Sequence, residues 1–136
     1  MTRAGVLALA TIFILSAFAL ATDKFPMRNS SIDPAAVAVV HANSDRNGNV
    51  QIEMEAKHLA PPDRLTPAHS VYVVWIQAPG KSPEELGVLR VNSEDMAASF
   101  KGETPYKSFD IFVTAEDNPK PETPSGTEVL RGTVQK

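Results

Sequence analysis

The sequence predicts an all-β protein: a roughly seven-stranded antiparallel β-sandwich of immunoglobulin-like type behind an N-terminal export segment. Three observations lead there. Val50–Lys57 alternates apolar and polar residues without a break, turn-forming residues recur throughout the chain after residue 36, and nothing after residue 21 carries the apolar period of a helix.

The chain starts with the short positive stretch Met1-Thr2-Arg3 and continues through an uncharged apolar run, residues 4–21, closing on Ala19-Leu20-Ala21. A charged start, an apolar centre and a small-x-small end form the pattern of a secretory signal peptide, so 1–21 is read as one. The run falls just under the roughly 20 residues of a spanning helix, which makes an uncleaved anchor the competing reading. A buried helix of the folded domain would show a polar face, and none interrupts the run. A lipoprotein anchor is excluded because the chain has no cysteine. The expected location is therefore periplasmic or extracellular, with membrane contact only if residues 4–21 are retained.

Loss of 1–21 leaves 115 residues, the size of a single domain. Arg3 goes with the leader, so 12 basic residues face 16 acidic ones and the formal charge is −4. Such a chain has no electrostatic reason to seek nucleic acid or anionic lipid. Without cysteine it must be held by its core alone, and it can build neither a thiolate metal site nor a cysteine nucleophile.

Residues 22–35, with Pro26, Asn29, Ser30, Ser31 and Pro34, read as a flexible linker, and 36–136 as the sandwich domain. The first strand is expected over 36–41, followed by a turn cluster from Asn43 to Asn49 in which Asn47-Gly48 tolerates positive φ. In Val50–Lys57, Val50, Ile52, Met54 and Ala56 share one face and Gln51, Glu53, Glu55 and Lys57 the other. Residues 71–76, Val-Tyr-Val-Val-Trp-Ile, are apolar on both faces and belong inside a sheet. Further strands are expected at 86–91, 96–100, 108–115 and 127–134, the last two separated by a proline-rich surface loop.

The stretch 71–76, followed by the turn at Pro79-Gly80 and by Leu86-Gly87-Val88-Leu89, resembles the extracytoplasmic domain of the anti-sigma-K factor family, which shows a Tyr-x-Val-Trp-Leu strand and then a Leu-Gly-x-Phe strand. His58-Leu59-Ala60-Pro61-Pro62 is similar to the family's Gly-Leu-Pro-Pro segment. Ile111 to Glu116, the loop 117–126 and Val129-Leu130-Arg131-Gly132 are similar to its ending. The resemblance spans residues 36–134 and implies a fold more than an activity. In that family the domain is joined through a membrane helix to a cytoplasmic segment that holds a sigma factor. Here three residues precede the apolar run, so the expectation is the exported module without the sigma-binding segment.

Chemistry is sparse. His41, His58 and His69 are 17 and 11 residues apart, and no H-x-H or H-x3-H pair occurs. They are the only candidate metal ligands, with Met54 or Met96 as companions, and each is better read as a strand-end or loop residue. Ser70 adjoins His69, but neighbours on a strand point to opposite faces, which argues against a catalytic pair. Glu53 and Glu55 share a solvated face with Gln51 and Lys57, while Glu84-Glu85 and Glu94-Asp95 are expected in turns, so no glycosidase pair is indicated. Asp45, Asn47 and Asn49 around Gly48 begin like a calcium loop, but its twelfth position is Ala56. Trp75 and Tyr72 lie on opposite faces of one strand and read as core rather than as a stacking platform. No basic stripe with interleaved aromatics is present. The sequence therefore predicts no catalytic residue, cofactor or nucleic-acid partner. It predicts an exported, non-enzymatic module for a protein or envelope partner, with the 116–126 loop as contact. The alternative is a small-ligand or copper/zinc binder using the histidines.

Overall fold

The computed structural model describes residues 23–136, and the leader expected at 1–21 lies outside them. The described residues are all-β. Nine strands run as β1 (Asp23–Asn29), β2 (Val37–Ser44), β3 (Val50–Lys57), β4 (Val71–Gln77), β5 (Glu84–Leu89), β6 (Val91–Asn92), β7 (Ala97–Thr104), β8 (Ser108–Glu116) and β9 (Glu128–Gln135). A 3-10 turn at Pro62–Arg64 precedes β4. All pairings are antiparallel, in the order β5-β4-β8-β9-β1-β2-β3-β7-β6.

This is one sheet curled almost into a barrel, not a seven-stranded sandwich. The difference comes from β1, in the segment expected as a linker. β1 pairs with β2 over five residues, from Asp23–Ala42 to Met27–Ala38, and with β9 at Arg28–Arg131 and Asn29–Leu130. It thereby joins what would otherwise be two separate sheets. Its polar sequence hides the strand, since only Phe25 and Met27 reach the core and backbone pairing holds the rest. Opposite β1 the ring stays open. β5 leaves β4 at Leu89, the chain turns at Arg90, and β6 meets β7 only at Val91–Ala98 and Asn92–Ala97.

Strict alternation in β3 becomes strict burial: Val50, Ile52, Met54 and Ala56 are buried and their neighbours exposed. The same inner face takes Val40 and Ala42 from β2, Tyr72, Val74 and Ile76 from β4, Phe109, Ile111 and Val113 from β8, and Val134 from β9. As expected, β4 is covered on both sides. Its outward residues Val73 and Trp75 form a second cluster with Phe112 and the half-buried Val71. Trp75 thus packs outside the barrel while Tyr72 packs within it.

Candidate functional site

All strands run between two ends. Asp23 and Lys136 meet at one end through a 2.7 Å ion pair, whereas loop 117–127 projects from the other. Asp117, Asn118, Pro119, Lys120, Glu122 and Thr123 are exposed, and Pro121 and Pro124 are half-buried. Prolines restrict the unbound conformations of such a segment, so less entropy is lost when it is held.

The root of the loop is built from side chains. Thr114 and Glu116, two apart on the outer face of β8, are both buried. The Trp75 indole N–H donates to Thr114 Oγ1 (2.8 Å), and the Thr114 hydroxyl donates in turn to Glu116 Oε2 (2.6 Å). That oxygen also accepts the backbone N–H (3.1 Å) and the hydroxyl (3.0 Å) of Ser125. A bond from the Ala115 N–H to the Thr127 carbonyl (2.8 Å) closes the neck. Glu116, expected as the first residue of the loop, is instead its buried anchor. A buried carboxylate needs such donors, and donors to charged groups give the stronger hydrogen bonds.

Beside this chain the outer cluster is roofed by an ordered stack. The Arg131 guanidinium lies 4.2 Å from the centre of the Phe112 ring, which stacks on Trp75 at 6.4 Å and 16°. Arg131 is fixed by Glu128 Oε1 (2.6 Å from Nη2) and Asp110 Oδ2 (3.0 Å from Nη1). The hydrogen bond to Glu128 holds its ionisation above the ordinary range, against the opposing effect of burial. On the inner side, the Tyr72 hydroxyl donates to the Ala60 carbonyl (2.5 Å), and Asp33, also buried, accepts the Ala60 N–H (2.8 Å). Burial, with Asp33 and Asp63 nearby, pushes the Tyr72 phenol well above its usual value.

The three histidines lie apart along the chain's architecture. His41 is in mid-β2 rather than at a strand end, on the outer face. There the cross-strand registers align Lys24, His41, Glu53 and Lys101 in one row of charged and titratable groups. His58 follows β3 at φ 56°. His69 lies before β4, its Nδ1 3.3 Å from Asp117 Oδ1 but not aligned as a hydrogen bond. Among the described residues no three His, Asp or Glu side chains gather closely enough to hold a metal. Neither His69 ring nitrogen is bonded to Ser70, whose backbone N–H instead meets the Glu116 carbonyl at 3.0 Å. Glu84 and Glu85, expected in a turn, are in β5, and Glu84 accepts the Tyr106 hydroxyl (2.9 Å). Asp45 caps the 45–49 turn, its Oδ1 accepting the backbone N–H groups of Asn47 and Asn49 at 2.9 Å each. Those bonds are the work of a hairpin turn.

The feature that sequence reasoning missed is the Trp75–Thr114–Glu116–Ser125 chain. One signal was present: Thr114-x-Glu116 sets two polar residues on the same face of an otherwise apolar strand. Comparison of the chain with protein-family models, with curated proteins and with solved structures finds no match.

Proposed function

We propose that the chain is an exported, non-enzymatic recognition module whose contact element is the 117–124 loop, acting on a protein or cell-envelope partner. One observation carries the reading: an exposed proline-rich loop is closed at its neck by a buried carboxylate that binds Thr114 and Ser125. A closed neck and the prolines limit the shapes such a loop can take, which reduces the entropy lost on binding. The reading agrees with the resemblance to the extracytoplasmic domain of the anti-sigma-K factors, which implies an interaction role in the envelope without supplying the partner.

The test places a photo-crosslinking residue at Lys120 and, separately, at Glu53 on the outer face of β3. Discrete adducts from position 120 alone are expected. They should vanish when 117–124 is replaced by a glycine-serine linker that keeps Glu116 and Ser125, while the thermal midpoint stays within a few degrees. Adducts from position 53 that survive the replacement would move the contact to the polar face of the sheet.

A further inference from the structure

Resting on the reading of 117–124 as the contact element, we propose that His69 and Asp117 form a proton-operated clasp that fixes the start of the loop at acidic pH and releases it at neutral pH. His69 is held from behind: its backbone N–H donates to the Pro62 carbonyl (2.9 Å), and its neighbour Ser70 donates to the Glu116 carbonyl (3.0 Å). The imidazole is therefore positioned at the loop's neck by backbone bonds, independently of its own ring. Its side chain is 14% exposed, and neither ring nitrogen has a hydrogen-bond partner. An unpartnered buried polar group of this kind is destabilising.

Among the described residues only one acidic group stands within ion-pair reach. Asp117 Oδ1 is 3.3 Å from Nδ1, and Asp117, the first residue of the loop, is 74% exposed. With a neutral imidazole this contact is an unaligned approach of two polar atoms. With a protonated one it becomes an attraction of opposite charges, and a small rotation of the exposed carboxylate completes a charge-assisted bond. The other titratable groups on the adjoining segments are already engaged or turned to water. Glu116 is taken up by Thr114 and Ser125, Tyr72 gives its hydroxyl to Ala60, and Asp63 and Arg64 on the 3-10 turn are exposed. The neck at Glu116 and Ser125 stays closed in both states. What changes is the freedom of Asp117 and the residues that follow it. Histidine is the side chain whose ordinary titration falls between about pH 5 and 8, so an exported module would meet both states.

The experiment follows amide exchange of residues 118–124, corrected for intrinsic pH effects, in the wild-type chain and in His69→Gln and Asp117→Asn, at about pH 5 and pH 8. Loop protection several-fold higher at the acidic pH is expected in the wild type alone. Equal pH dependence in all three chains overturns the clasp, as does a loop that loosens on acidification. Crosslinking from Lys120 at pH 8 is read in parallel. If those adducts persist while exchange is unaffected by pH, the clasp fails and the recognition reading stands. If they are absent while exchange responds, the reverse holds.

Discussion

The ring of Phe100 lies against the bare backbone of Gly87 across the open side of the barrel. A β-carbon built on Gly87 would come 3.0 Å from Phe100 Cε2, and one built on Gly102 would come 3.0 Å from Cε1. β5–β6 and β7 are halves of one hairpin, zipped at Val91–Ala98 and Asn92–Ala97, and then parted as β5 turns to β4 and β7 stays with β3. Phe100, with Leu86, fills the wedge between them. Aromatic rings over glycines are a known way to complete a sheet that lacks a side chain.

Gly102→Ala should therefore destabilise the fold by overpacking, by about 1–3 kcal/mol. Urea unfolding measures it. Combining it with Phe100→Leu should recover part of the loss, because the smaller side chain yields the space. Additive losses in the double variant would show that the ring is not what the new methyl meets.

Glu116→Ala removes the acceptor shared by Thr114 and Ser125. Leaving the buried Thr114 hydroxyl unmet costs about 1–3 kcal/mol, and the loss should centre on the loop neck, where Ser125 also loses its acceptor. Amide exchange at Ser125 and Ala115, whose N–H groups make the bonds of the neck, should accelerate well before exchange in β3. Glu116→Gln, which keeps an oxygen in place, should fall between. Uniform acceleration across all strands would mean that the anchor serves the whole barrel rather than the loop.

β3 and β4 were legible in the sequence because their patterns are self-contained: strict alternation for one, apolar residues on both faces for the other. The proline-rich loop was legible for the same local reason. The barrel was not. Its closure depends on β1, whose Asp-Lys-Phe-Pro-Met-Arg-Asn carries little strand signal and gains its place by pairing with residues up to about a hundred positions away, at Leu130 and Arg131. Glu84 and Glu85 looked like turn residues because charge dominates locally, yet β5 is a sheet edge where charged side chains reach water. The loop's anchor stayed hidden because Trp75 and Thr114, 39 residues apart, are brought together only by the β4–β8 register.

Arg131→Lys should recover little of what Arg131→Ala loses. The guanidinium covers the Phe112 face while bonding two carboxylates, a task for a planar fork that an ammonium cannot match. The cation–π contact is worth about 0.5–2 kcal/mol, and the half-exposed ion pairs add less. Raising salt should therefore weaken the wild type only slightly. A lysine variant as stable as wild type would reduce Arg131 to a simple counter-ion.

Tyr72→Phe tests the latch that ties the segment before β4 to the core. The hydroxyl bond to the Ala60 carbonyl is lost, at about 1 kcal/mol near neutral pH. The clearer signature lies in alkali. An unfolded tyrosine releases its proton near pH 10, whereas the folded chain retains the Tyr72 proton to higher pH because burial and the nearby Asp33 and Asp63 oppose phenolate formation. Above pH 10 the unfolded state then binds fewer protons than the folded one, so wild-type stability falls as pH rises, by up to about 1.4 kcal/mol per pH unit for one group. This contribution is fully present below pH 10 and is lost on the way to the folded-state ionisation. Chemical denaturation between pH 9 and 11.5 should show a shallower decline in Tyr72→Phe, the difference between the two slopes approaching one proton. Parallel slopes would mean that Tyr72 ionises alike in both states, and that its hydroxyl is not held out of water at Ala60.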